Sequence, residues 1–259
     1  MKYPEDYINK IIQGDCLEVM KDMPDNSVDL VVTSPPYDNL RDYKGYTFDF
    51  EGIAKELFRI TKEGGVVVWV VGDATINGSE TGTSFKQALY FKEIGFNLHD
   101  TMIYAKQNPI PLTHNRYEQG FEYMFVLSKN KPKTFNPIMI KCNNSGKNTE
   151  RRTFYQSADG KTSKGHKNIN VKKEKQSSNI WIIPTNSGTA NHPAQFPEKL
   201  AENHIKSWSN EGDIILDPMN GSGTTTKMAK LLKRNFIGID VSEEYCKIAQ
   251  ERLRQDILI

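Results

Sequence analysis

Cysteine is scarce. Three occur in 259 residues, Cys16, Cys142 and Cys246, and no two form a Cys-x-x-Cys pair. That spacing argues against a disulfide framework and a cysteine zinc site, so no metal is expected and a reducing, cytoplasmic setting is. Long apolar runs are absent as well. No stretch approaches the ~18–20 residues a membrane span needs, and the opening MKYPEDYINK lacks the apolar centre of a signal peptide. No membrane partner is expected. Net charge is only +2, so the overall balance announces no polyanion. The 37% hydrophobic and 25% charged content are ordinary for a globular chain of one large domain, or one domain with an insertion.

The distribution of charge says more than its sum. Between Lys129 and Lys175 stand thirteen lysines and arginines against Glu150, Asp159 and Glu174, which leaves the remainder net acidic. Such a bias suits phosphate binding, and a solvated loop accounts for it equally well. From Pro132 to about Ser178 the apolar periodicity gives way to Lys, Asn, Ser, Gly and Thr, over a length unusual for a plain connection. Residues 132–190 are therefore expected to be an inserted segment between two halves of one domain, 1–131 and 191–259.

Outside that segment, apolar runs bounded by turn residues recur: IIQGD (11–15), VDLVVTS (28–34), GGVVVWVVGD (64–73), LHDTMIYAK (98–106), FEYMFVLSK (121–129), DIILDP (213–218) and FIGIDV (236–241). Several are near-continuous Val/Ile/Leu, the pattern of parallel strands covered on both faces. Helical spacing predicts helices over 49–62, 84–94, 198–207, 224–232 and 243–254. Alternating strands and helices imply an α/β sheet.

In DIILDPMNGSGTTTKMAKLL a strand ends at Asp217-Pro218 and a helix begins near Thr224. Between them Asn220, Gly221, Ser222 and Gly223 form a tight turn whose glycines let a ligand approach the main chain. The next strand ends in Asp240, placed to accept hydrogen bonds from ribose hydroxyls. The turn is neither GxGxxG nor a loop ending in GK[ST], so it lacks a lysine to hold a phosphate. A nucleoside cofactor without phosphate, S-adenosylmethionine, fits this loop. Asp15, at the end of IIQGD, could reach an adenine amine across the same strand ends, or could cap a helix.

TSPPY (33–37) stops a buried strand on two prolines, which have no N–H for a sheet and hold φ near −65°. With GDC (14–16), GGVVVWVVGD, HPAQFPEKL (192–200), DPMNGSGTT (217–225) and GIDVS (238–242) in this order, the chain resembles the permuted "beta" DNA amino-methyltransferases. The resemblance covers nearly everything outside the insert, and it implies that the 132–190 segment is a target-recognition segment. It implies a mostly parallel seven-stranded methyltransferase sheet with a terminal antiparallel hairpin, from LHDTMIYAK and FEYMFVLSK. DIILDP would be its first strand in nucleotide-fold order, followed by FIGIDV, IIQGD, VDLVVTS and GGVVVWVV. It implies that Ser34 and the main-chain carbonyl of Pro35, held rigid by Pro36, accept from the two N–H bonds of an exocyclic amine. That favours a pyramidal nitrogen whose lone pair faces the cofactor's methyl group. Tyr37 would stack on a base flipped out of the duplex. Phe196 would pack on S-adenosylmethionine beside Asp217, Asn220, Gly221, Ser222, Gly223, Thr224, Asp240 and Asp15. His192 would form a wall rather than a base, and Met219 takes a position phenylalanine often holds. Arg41, Lys44, Arg116, Arg151 and Arg152 are candidate contacts to DNA phosphates.

None of the three cysteines follows a proline, which disfavours methylation at cytosine C5. Within the family, Ser-Pro-Pro-Tyr usually accompanies cytosine N4 and Asp- or Asn-Pro-Pro-Tyr adenine N6. Cytosine N4 in double-stranded DNA is thus the expected target and adenine N6 the alternative. An RNA or protein-amide methyltransferase and a non-catalytic DNA-binding module fit the residues less well. The resemblance also implies a prokaryotic or phage origin, and it is compatible with a paired restriction endonuclease and with a homodimer.

Overall fold

The computed structural model describes residues 1–36, 48–109, 116–143, 145, 148–156, 162–185 and 197–255, with backbone alone for 148–156, 162–170 and 255. They divide into two compact units, Met1–Asn136 with Asn179–Ile259, and Pro137–Ser178.

In chain order the larger unit holds β1 (Lys10–Gln13), α1 (Cys16–Lys21), β2 (Val28–Thr33), α2 (Phe50–Ile60), β3 (Thr61–Val71), the short β4 (Thr75–Ile76) and β5 (Ser79–Glu80), α3 (Thr83–Glu93), β6 (Asn97–Lys106) and β7 (Phe121–Ser128). The smaller unit holds β8 (Met139–Lys141), β9 (Asn148–Gln156), β10 (Thr162–Asn170) and β11 (Glu174–Gln176). The larger resumes with β12 (Ile180–Ile183), α4 (Glu198–Trp208), β13 (Ile214–Asp217), α5 (Thr224–Leu231), β14 (Asn235–Asp240) and α6 (Glu243–Gln255).

One sheet organises the larger unit, in the order β1-β14-β13-β2-β3-β7-β6-β12. All adjacent pairs are parallel except those made by β7, which runs against both β3 and β6. The expected order and the β6–β7 hairpin are both present. An eighth strand is added: β12 pairs in parallel with β6, so the hairpin does not end the sheet. IWII lies just past the polar stretch, inside the segment 132–190 read from composition as an insert. Trp181 and Ile183 point inward while Ile180 and Ile182 are exposed, the alternation of an edge strand. The compact smaller unit is accordingly narrower than the segment 132–190 expected from composition, because 132–136 and β12 go with the sheet.

Packing follows the apolar pattern. In β3, Val66 to Val71 are buried, covered partly by α2, whose Ile53, Ala54, Leu57 and Ile60 share one face. Asp49 starts α2 by accepting from the Gly52 N–H at 3.0 Å. Trp69 donates its indole N–H to Gln87 on α3 at 2.8 Å and packs edge-on against Phe91, so this large side chain is buried with its polar atom satisfied. The smaller unit is not a featureless loop: β8 pairs with β11 and β9 with β10, both antiparallel. Among the described residues no helix is long and apolar enough to cross a membrane.

Candidate active site

The parallel register brings the C-terminal ends of five strands to one edge. Pairing of Gln13 with Asp240, Asp217 with Gly238, Leu216 with Val31, and Thr33 with Trp69 aligns the residues that follow β1, β14, β13, β2 and β3. In such a sheet, ligands bind in the crevice beyond these ends.

β2 ends at Thr33 because Pro35 and Pro36 cannot extend the ladder. Thr33 is fully buried and donates its hydroxyl to Asp217 Oδ1 at 2.7 Å. This bond ties Ser34 and Pro35, the next two residues, to the end of β13 across 184 positions of sequence. Pro35 is buried, and Ser34 and Pro36 are half-buried at the rim. Thr225, at the start of α5, donates to the Val32 carbonyl at 3.0 Å, a second link between the two halves.

Asp217 is 1% exposed. Burial pushes its carboxyl up to about 6, although the Thr33 hydroxyl and the Met219 N–H at 3.2 Å pull the other way. The glycine turn follows. Gly221 and Gly223 have φ of 49° and 84°, left-handed values that favour glycine. A Cβ on Gly223 would lie 2.8 Å from that of Ala249 on α6, so the turn also needs glycine for close packing.

Asp240 holds the turn from the next strand. Its Oδ2 accepts from the Gly221 N–H at 2.8 Å and its Oδ1 from the Ser242 N–H at 2.9 Å. Burial raises its pKa, and these two N–H groups offset that only in part. Asn220 Oδ1 accepts from Thr226 at 3.0 Å, while its buried Nδ2 has no partner among the described residues. Gly238 makes room for that amide: a Cβ there would come within 2.7 Å of Asn220 Cγ. Ser222 and Thr224 are buried beneath the turn, and Met219 packs on the core as an apolar side chain.

Asp15 takes the capping alternative. Its Oδ1 accepts from the Leu17 and Glu18 N–H groups at 2.8 and 3.3 Å, starting α1. Arg116 is exposed and donates to the Gly78 carbonyl in the β4–β5 turn, near Glu80. Arg151 and Arg152 lie on β9, opposite Lys167 and His166. Tyr37, Arg41, Lys44, His192 and Phe196 fall outside the described residues.

Sequence reasoning missed the clasp around the turn. Arg252 on α6 donates to the Ser222 carbonyl at 2.7 Å and to Glu198 of α4 at 2.6 Å, and Lys227 reaches the same Glu198 at 3.0 Å. Burial opposes ionisation of Glu198, but the two cations outweigh it and its pKa lies below the ordinary carboxylate value. Asp73 was likewise unremarked. It accepts from the N–H and hydroxyl of Ser84 at 2.8 and 2.5 Å, fixing the first turn of α3. Nothing local marks these partners, which lie from 11 to 54 residues apart.

The DNA methylase profile that covers N6 and N4 amino-methyltransferases matches residues 28–251. The orphan methyltransferase M.BamHII of Bacillus amyloliquefaciens is 55% identical over 244 residues, 91% of this chain and 92% of that protein. This chain belongs to the N6/N4 DNA methylase family. Two solved structures share the methylase's fold. The cytosine-N4-specific PvuII DNA methyltransferase gives a TM-score of 0.70 at 20% identity, over 95% of this chain and 86% of that one. The complex of M1.HpyAVI with S-adenosylmethionine gives 0.65 at 24%, over 94% and 98%.

The methylase's strand edge fits S-adenosylmethionine on three observations. The buried Asp217 and the half-buried Asp240 have raised pKa values that a cationic ligand would relieve. The Asn220 amide has an unpaired buried donor beside the turn. Lys227 and Arg252, basic side chains beside the turn, pair with Glu198, which suits a cofactor without phosphate.

Proposed function

We propose that this DNA methylase transfers a methyl group from S-adenosylmethionine to the exocyclic N4 of a cytosine flipped out of duplex DNA. Bound at the strand edge, the cofactor supplies an electrophilic methyl group on a sulfonium sulfur. Asp240 accepts from its ribose hydroxyls through lone pairs not used by Gly221 and Ser242, and Asn220 Nδ2 offers a donor. Ser34 and the Pro35 carbonyl accept from the amine N–H bonds and turn the nitrogen lone pair toward the methyl group. S-adenosylmethionine held there would give its methyl group to the amine nitrogen in line and leave as S-adenosylhomocysteine, while the amine's extra proton would pass by way of the Ser34 hydroxyl to solvent. No covalent enzyme intermediate is involved, in keeping with the absence of a Pro-Cys nucleophile. The basic Pro137–Ser178 unit reads the target sequence in this scheme.

The observation that supports the reading is the Thr33–Asp217 hydrogen bond, which joins the strand end just before Ser34-Pro35 to the strand end just before the glycine turn. The choice of cytosine rests on serine at position 34, and it agrees with the specificity in the PvuII enzyme's name. Digesting methylated DNA to nucleosides and weighing them tests it: N4-methylcytosine is expected, and N6-methyladenine would reassign the base. Ser34→Ala should lower the transfer rate about 100-fold, the usual effect of losing one positioned hydrogen-bond group at a reacting centre. Cofactor affinity should stay within threefold, and equal losses in both would remove Ser34 from the reaction.

A further inference from the structure

At the opposite end of the same strands lies a cavity of about 680 Å³ that the methyl-transfer reading does not use. It is lined by Lys10, Lys230, Lys233, Arg234 and Arg254, with no acidic residue in its wall among the described residues. Asn235 at this end and Asp240 at the reaction edge stand five residues apart on β14, about 16 Å along a strand. The two places are therefore distinct.

The two half-buried cations spend their hydrogen bonds on neutral acceptors. Lys230 donates to the Leu253 carbonyl at 2.5 Å, and Arg234 to the Leu232 and Ser209 carbonyls at 2.6 and 2.7 Å and the Ser209 hydroxyl at 3.1 Å. Burial lowers the pKa of Arg234, against the pull of Glu211 and Asp213. Glu211 also faces Lys233, at 3.9 Å between largely exposed groups. The C-terminal turns of α5 and α6 both meet the cavity, and each helix end supplies about half a negative charge. Together they offset about one of the five positive charges. With Glu211 and Asp213 counted in full, about two positive charges stay uncompensated among the described residues.

We infer that this cavity binds a phosphate-bearing polyanion. Its volume falls within the ~300–1,000 Å³ of ligand pockets. Among the described residues the only aromatic one in its lining, Phe236, is 5% exposed and gives a nucleobase no face to stack on. Recognition is thus of phosphate, either a free polyphosphate or the backbone of a second DNA segment.

Sodium tripolyphosphate is the probe, titrated calorimetrically against the full chain. Lys10→Glu with Arg254→Glu reverses two exposed cations of the rim. This pair should weaken binding at least tenfold, whereas Lys2→Glu with Lys247→Glu, an equal change in net charge elsewhere, should stay within threefold. Absence of binding at millimolar concentration, or equal weakening by both pairs, overturns the site. The source is then read from a short duplex without the target sequence. A drop of about two in the slope of log K against log salt in the rim variant identifies DNA backbone, at ~0.9 per phosphate lost. An unchanged slope with tripolyphosphate binding lost identifies a free polyphosphate. Methyl transfer at saturating DNA should be the same in both variants.

Discussion

Asp217→Asn should gain stability relative to the wild type as pH rises, while it becomes a poorer enzyme. The aspartate is buried, and its carboxyl is pushed from 3.8 up to about 6. Its folded pKa lies above its unfolded one, so its stabilising contribution is complete below about 4 and is lost as pH rises through 6. A shift of that size corresponds to about 3 kcal/mol between the two limits, at ~1.4 kcal/mol per unit. Asparagine keeps the carbonyl oxygen that accepts from Thr33 and from the Met219 N–H, but it does not titrate. Its new NH₂ group needs an acceptor and costs about 1–3 kcal/mol if it finds none. That cost is constant with pH and does not enter the slope.

The assay is urea unfolding of both proteins at half-unit steps from pH 4 to pH 8, without cofactor. Every other titrating group is shared, so the difference between the curves isolates Asp217. The variant should gain on the wild type by about 2.5 kcal/mol across the range, most of it between pH 4 and pH 6 and half of it by about pH 5. A flat difference, or one growing toward low pH, would refute the argument that burial dominates this carboxyl. S-adenosylmethionine should bind the variant more weakly, because a cationic ligand loses the anion opposite it.

His204 should act with the opposite sign. It is fully buried against Trp181, its Nε2 lies 3.2 Å from Met124 Sδ, and desolvation lowers its pKa from 6.5 to about 3. Depressed in the folded state, it withdraws stability as pH falls from about 6.5 toward 3, by up to ~5 kcal/mol. His204→Leu should flatten the acid limb of the wild-type unfolding curve, and an unaltered limb would count against the burial argument. Gly223→Ala should cost about 2–5 kcal/mol, combining a left-handed φ with overpacking against Ala249. Adding Ala249→Gly should restore the overpacking part, so strictly additive losses in thermal unfolding would rule out the clash. Arg252→Ala should cost about 1–3 kcal/mol and weaken cofactor binding about tenfold, since it frees the Ser222 carbonyl and leaves Glu198 with Lys227. Calorimetric titration with S-adenosylmethionine checks the second effect; unchanged affinity would limit the clasp to a structural role.

What was legible in the sequence was local. Apolar runs marked seven strands of the sheet, and helical spacing marked five helices, because each pattern repeats within a dozen residues. The strand–turn–helix–strand order placed the glycine turn and Asp240 together without any distant partner. The two prolines marked the end of β2 by their own chemistry. β12 escaped because it falls inside the polar segment read as an insert, and six-residue α1 because it spans fewer than two helical turns. The paired strands of the Pro137–Ser178 unit escaped as well, because polar residues fill both sides of their pattern.

Tertiary structure decided the rest, for a physical reason. Thr33 and Asp217 meet only because β2 pairs with β13, with Leu30 opposite Ile215 and Val31 opposite Leu216. Arg252 reaches Ser222 only because α6 lies against α5, close enough that Gly223 and Ala249 nearly touch. The raised pKa of Asp217 and the lowered one of His204 come from desolvation, which a linear chain does not possess. The sequence by itself determined which residues could do chemistry at the strand ends. The packing of the sheet determined which of them are buried, which are joined, and that Asp15 is spent on starting a helix.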